Sequence, residues 1–141
     1  MKKLFFTAIC LSFWTVGSFA QATEKFDLAT YQAPKGWNRQ AGLDSIQFST
    51  SDKDNYCLVT LYRSMPGLGN PKQNFDAAWA TIVKDTVGIS TAPQMLPPDA
   101  KGEWQITGGL APFEKNGAKG VALLITASGY GKMINVVVLT N

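Results

Sequence analysis

Two segments near the end of the chain, Val121-Ala122-Leu123-Leu124-Ile125 and Ile134-Asn135-Val136-Val137-Val138-Leu139, are almost continuously apolar. Successive side chains of a strand point to opposite faces, so strands of this kind belong inside a sheet that needs cover on both sides. Gly129-Tyr130-Gly131 turns one into the other. Upstream, Asn116-Gly117 is the strongest hairpin signal in the chain, because both residues tolerate the positive φ of a type I′ turn. It joins a strand from Trp104 to about Phe113 to the first of the two apolar strands. The spacing predicts an antiparallel meander from Glu103 onward.

A cover for one face is equally legible. Phe75, Ala78, Trp79, Ile82 and Val83 fall at i, i+3, i+4, i+7 and i+8, the apolar stripe of an amphipathic helix. Asn74 is the expected N-cap, Asp76 suits the positive end of the dipole, and Gly88 suits the stop. One helix over Phe75 to Val87 covers one face. The other must be shielded by the proline-rich crossing from Ile89 to Gly102, by residues near Gly36 to Leu43, by a partner, or by a second copy. The fold class is therefore α+β, an antiparallel sheet with one main amphipathic helix.

The earlier half supplies further strands. Phe26 to Tyr31 alternates as a first strand, and Pro34-Lys35-Gly36-Trp37 turns the chain. Ser45-Ile46-Gln47-Phe48-Ser49 places Ile46 and Phe48 on one face and polar residues on the other. Ser51-Asp52-Lys53-Asp54 then turns into Tyr56 to Tyr62, giving a hairpin. Met65 to Pro71, with Pro66, Gly67, Gly69 and Asn70, reads as a loop.

The first twenty residues stand outside this pattern. Met1, Lys2 and Lys3 precede an apolar run from Leu4 to Val16, and Ser18 and Ala20 place small residues where signal peptidase requires them. The run is well short of the ~20 residues that cross a bilayer as a helix, so no stable membrane anchor is expected after cleavage. Cys10 lies inside the run behind the bulky Ile9 and does not suit lipidation. The expected division is a signal peptide over 1–20 and a single domain over 21–141, periplasmic or secreted. The 13 basic and 10 acidic residues become 11 and 10 without Lys2 and Lys3. No Lys/Arg run is left to neutralise several phosphates, which argues against nucleic acid as a partner. Cys57 has no intramolecular disulfide partner in the mature chain. Alternation sets it with Val59 and Leu61, as a small buried hydrophobe.

Catalytic motifs fail one by one. The chain contains no histidine, which removes Ser-His-Asp and Cys-His systems and histidine-based zinc sites. No Ser-x-x-Lys occurs. Asp52-Lys53-Asp54-Asn55 opens like a calcium loop, but Cys57 and Arg63 stand where that loop needs Gly and Glu. Gly129-Tyr130-Gly131-Lys132 lacks the earlier glycine and the helix of a phosphate loop, and Gly108-Gly109 lacks the rest of a dinucleotide fingerprint. Glu103 and Glu114 lie about 36 Å apart along one strand, against the 5 to 10 Å that glycoside hydrolysis uses. No enzyme, cofactor or metal site is expected.

Aromatic residues remain. Tyr62, Trp104, Phe113 and Tyr130 sit on or beside the strands and turns of the meander, and Tyr130 between two glycines is the least explained by burial. The candidate binding residues are Tyr130, Phe113, Lys132 and Trp104, with Arg63 as a possible flank. The corner Tyr31-x-x-Pro34-x-Gly36-Trp37, the hairpin, the Trp79-bearing helix and the closing meander together resemble the PsbP-like group, including bacterial DcrB-type lipoproteins and secreted proteins. The likeness spans Phe26 to Asn141. It implies a sheet between helical layers and an accessory or binding role, in a Gram-negative setting. It carries over Tyr31, Pro34, Gly36 and Trp37 as structural positions alone. The expected function is a non-enzymatic module that engages a protein or envelope component, or a second copy, through the uncovered sheet face or loop rim. The alternative is a carrier that holds a small apolar ligand between sheet and proline-rich crossing, using Met95, Leu96 and Trp104.

Overall fold

A computed structural model describes residues 21–141, so the leader reading at 1–20 lies outside the described residues. The chain opens with a small hairpin, β1 (Thr23–Phe26) and β2 (Ala29–Gln32). The single strand expected from Phe26 to Tyr31 is thus two, because Asp27 takes a φ of 52° and reverses the chain. Then follow β3 (Asn38–Ala41), β4 (Ser45–Asp52), β5 (Asn55–Tyr62) and the two-residue β6 (Met65–Pro66). The segment expected as loop from Met65 therefore begins by pairing with the sheet.

The helix starts at Pro71, four residues before the expected start. It runs as α1 (Pro71–Ala78), a π-helical segment (Trp79–Lys84) and α2 (Asp85–Val87). Its N-cap is Asn70, whose side-chain oxygen accepts from the Gln73 N–H at 2.9 Å, with Pro71 in the first turn where a missing N–H costs nothing. Asn74, expected as the cap, is instead 4 % exposed and turned onto the sheet. Its Oδ1 accepts from the Leu68 N–H and its Nδ2 donates to Ser128 Oγ at 2.9 Å. Gly88 ends the helix as expected, with φ 69°.

After the helix come β7 (Gln94–Met95), β8 (Asp99–Lys101) and the meander β9 (Trp104–Lys115), β10 (Ala118–Gly129) and β11 (Lys132–Thr140). Asn116 and Gly117 both have positive φ, and so do Tyr130 and Gly131, which makes two type I′ hairpins. The main antiparallel sheet runs β3-β4-β5-β11-β10-β9-β7, with β6 paired to β11 and β8 to β9. Of the stretch from Gly36 to Leu43, Trp37 packs on the sheet as a cover, and the rest lies at an edge. Residues 38–41 form the outer strand β3, and the proline-rich crossing pairs alongside β9 instead of lying over the sheet.

Among the described residues, the buried side chains form two clusters on opposite faces. On one, Phe75, Ala78, Trp79 and Val83 of the helix pack on Ala111, Ala122, Leu124 and Val137. Phe75 and Trp79 stack with ring centroids 5.8 Å apart. The helix comes so close that a Cβ at Gly109 would stand 2.6 Å from Phe75 Cζ, which is why that position carries none. On the other face, Ile46, Phe48 and Leu61 are covered by Phe26, Ala29, Tyr31 and Trp37 from the β1–β2 hairpin and the corner after it. The layers are thus helix, sheet and hairpin. The two covers are offset: the helix lies over β9 to β11, and the hairpin lies over β4 and β5 and reaches β11. A second helical layer is not present among the described residues.

Candidate binding surface

Alternation along the meander decides which residues meet. On β9, Ala111 and Phe113 face the helix, so Trp104, Ile106 and Leu110 face the hairpin side. Register places Leu110 opposite Leu123, Leu123 opposite Val138, and Ile125 opposite Val136. Ile134 and Val136 pack with the cluster beneath the hairpin. Leu110, Leu123, Ile125 and Val138 are half-buried and belong to neither core cluster. Val121, on the same face, is 38 % exposed, and Leu96, 36 % exposed, borders the patch over Gly108, whose carbonyl accepts from its N–H at 2.9 Å. Together these aliphatic side chains run across β9 and β10 and reach β11 at Val138.

The aromatic end of the patch lies at the β10–β11 turn. Tyr130 is 72 % exposed and held at φ 53°, a left-handed conformation that a bulky residue adopts at a cost of about 1 kcal/mol. Its ring meets Trp104 edge-on, centroids 5.7 Å apart. Trp104 also lies against Gly129, where a Cβ would come within 3.0 Å of the indole. On the helix side of the same turn, Tyr130 and Lys132 border an open polar cleft of about 350 Å³ with Asn70, Asn74, Glu103 and Ser128.

Three of the four residues expected to bind, Tyr130, Trp104 and Lys132, therefore gather at one end of the sheet. Phe113 does not join them. It is 9 % exposed and packs in the helix-side cluster, nine residues or about 30 Å along β9 from Trp104. Odd numbering turns it away from the face that Trp104 occupies. Arg63 is elsewhere too: it donates through Nε and Nη2 to the Leu43 carbonyl and lies 5.5 Å from the centre of the Phe26 ring. Tyr62 packs against the helix-side cluster, where burial raises its phenol pKa. Met95 and Leu96 do not form a lid. They straddle β9, Met95 on the side of Phe75 and Leu96 on the other.

Sequence reasoning alone did not single out Leu110, Leu123, Ile125 and Val138 as a surface. Their apolar character was plain, but which half of each face is roofed depends on where the hairpin stops. The chain matches no protein-family profile and no curated protein.

Proposed function

We propose that this chain is an extracytoplasmic, non-enzymatic binding domain of the PsbP-like kind, which engages a protein or another envelope component through the bare half of its sheet. The observation that carries this reading is the run of Leu110, Leu123, Ile125 and Val138, aliphatic side chains that stay partly accessible and belong to neither buried cluster. A fold under no constraint other than stability gains about 25 cal/mol for each Å² of such surface it buries, so a contiguous apolar patch marks an interaction site. Tyr130 adds to this. Its strained, exposed placement weakens the fold slightly and suits a contact made outside it. In the polar cleft beside it, Ser128 Oγ accepts from the Asn74 amide. Tyr31 and Trp37 seat the hairpin, consistent with a structural role for the corner they share with Pro34 and Gly36.

The test is quantitative affinity capture from the envelope of the producing cell, with the mature chain as bait. Leu123→Lys should remove the specific partner, whereas Ser49→Lys, on the opposite face of β4, should retain it. A capture profile that Leu123→Lys leaves unchanged would refute the reading.

A further inference from the structure

The large apolar side chains that stand furthest into water are not spread over the surface. Among the described residues, Leu43 is 86 % exposed, Tyr130 72 % and Leu68 58 %, the three highest values, and Leu28 is 43 % exposed. They sit on four separate turns that strand register brings to one end of the sheet. Leu43 lies between β3 and β4, where Ser45 pairs with Tyr62 at the end of β5. Tyr130 lies between β10 and β11, and Lys132 and Met133 after it pair with Pro66 and Met65 of β6. Leu68 follows β6, and its neighbour Gly67 donates to the Gly131 carbonyl at 2.8 Å. Leu28 is at the β1–β2 tip, which Asp27 ties to Ser64 just past β5. The turns at the opposite end differ in kind, with Lys53 and Asp54 between β4 and β5 and Asn116 and Gly117 between β9 and β10.

Two of these leucines are held out by tied main chain. In the turn at Leu43, the Gly42 N–H donates to the Ser45 carbonyl and the Asp44 carbonyl accepts from the Arg63 N–H, both at 2.8 Å. The Leu43 carbonyl itself accepts from Arg63 Nε and Nη2. The Leu68 N–H donates to Oδ1 of the buried Asn74 at 2.6 Å. A side chain at a turn can enter an apolar phase cheaply only where the peptide groups beside it already have partners, since each unpaired one resists leaving water. Leu43 and Leu68 meet that condition from within the protein. Folding gains little from either leucine where it stands, because neither is removed from water.

A protein partner would call for one packed and continuous apolar centre. Here the apolar side chains stand apart, with peptide groups and charged side chains between them. Fluid acyl chains make no such demand, because each inserted side chain finds cover without a matching shape. Tyr130 and Trp104, whose rings meet edge-on, have the amphipathic character that suits the headgroup level. Charge sets the kind of surface. Arg63, Lys101 and Lys132 at this end are offset by Asp27, Asp44 and Glu103, which leaves no net attraction for an anionic layer. We propose that this end of the domain is a lipid-facing rim, at which Leu28, Leu43 and Leu68 enter the outermost acyl layer of a phospholipid bilayer with Tyr130 at the headgroups. The attachment is reversible and driven by apolar insertion. It is separate from the sheet face of Leu110 and Leu123 and does not depend on it.

Co-sedimentation with phosphatidylcholine vesicles tests the rim, using residues 21–141, which contain both buried clusters. The parent chain should partition onto these neutral vesicles, with less than about a twofold change between about 0.1 and about 0.5 M salt. Leu43→Ser combined with Leu68→Ser should lower the partition coefficient about tenfold while leaving the thermal midpoint in place, because both side chains are in water in the free protein. Leu123→Lys, on the sheet face, should partition like the parent, so that the two surfaces are scored separately. Tryptophan emission from Leu43→Trp should shift to the blue when vesicles are added, and that from Asp54→Trp at the opposite end should not. No partition by the parent, partition confined to phosphatidylglycerol vesicles and lost in salt, a double leucine variant that partitions like the parent, or equal shifts at both ends would overturn the rim. Loss of a captured envelope protein in the double leucine variant, with neutral vesicles binding neither chain, would assign these turns to a protein partner and overturn it too.

Discussion

Leu123 and Leu124 are neighbours on β10 with opposite surroundings, and replacing each by alanine measures how much of each face is roofed. Leu124 is fully buried, paired with Val137 and Gly109 beneath the helix. Removing its three outer carbons loses their transfer free energy and leaves a cavity that the packed Phe75 and Trp79 rings fill only in part, about 3 to 4 kcal/mol. Leu123 already shares its side chain with water. Truncation there returns some 40 Å² to solvent with no enclosed void, about 1 kcal/mol at 25 cal/mol per Å². With a urea slope of about 1.5 kcal/mol/M, the midpoint should fall by about 2 to 2.7 M for Leu124→Ala and by less than about 1 M for Leu123→Ala. Trp79 fluorescence and far-ultraviolet circular dichroism should report the same transitions with unchanged slope. Equal midpoint losses in the two variants would mean that the hairpin-side face of β10 is as well covered as the helix side. The bare half-face, and the function drawn from it, would then be wrong.

Other outcomes follow from single contacts. Tyr130→Asn relieves the positive φ but gives up the edge contact with Trp104, two effects of about 1 kcal/mol each, so stability should change by less than about 1 kcal/mol while partner capture falls at least tenfold. A loss of several kcal/mol in thermal unfolding would assign Tyr130 to the core. Asn135 is fully buried and accepts from Thr126 Oγ1 at 2.8 Å, but its Nδ2 has no hydrogen-bond partner among the described residues. The double change Thr126→Val with Asn135→Leu should be more stable than Thr126→Val alone by about 2 kcal/mol, because the single change leaves the buried amide wholly unpaired; a double variant no more stable than that single would contradict this. Asp27 ties the hairpin tip to the end of β5 by accepting hydrogen bonds from Ser64, which hold its carboxyl below the usual 3.8. A lowered folded pKa contributes stability that is present above the unfolded value and lost as pH falls through the folded one. Any stability advantage over Asp27→Asn should therefore be constant from pH 5 to 7 and shrink below about pH 4 in urea titrations. An advantage that stayed constant down to pH 2 would show that the charge plays no part.

Local chemistry was legible in residue order wherever one short segment holds the whole signal. The Asn116-Gly117 turn and the Gly88 stop need only backbone preferences, and the turns at Lys53 and Tyr130 stand where polar and glycine neighbours mark them, although both residues take a positive φ against their own preference. The cap was misplaced because Asn70 and Asn74 are chemically alike, and only the presence of Ser128 beneath the helix decides which one turns inward. Gly36 to Leu43 and the proline-rich crossing stand among the expected covers, yet only Trp37 of the first packs over the second cluster, while residues 38–41 and parts of the crossing pair as edges. Pairing to β4 and to β9 satisfies backbone groups that a covering loop would leave bare. Phe113 was grouped with Trp104 by composition, and strand parity separated them.

The residues by themselves determined that this chain makes an antiparallel sheet with one amphipathic helix and too few polar positions on its inner strands to leave both faces bare. They did so because strand and helix periodicities are local properties. Only the tertiary structure decided which half of each face is roofed. That depends on where the short β1–β2 hairpin and the helix come to rest on a sheet whose strands they do not adjoin in sequence, and no local periodicity records such a distance.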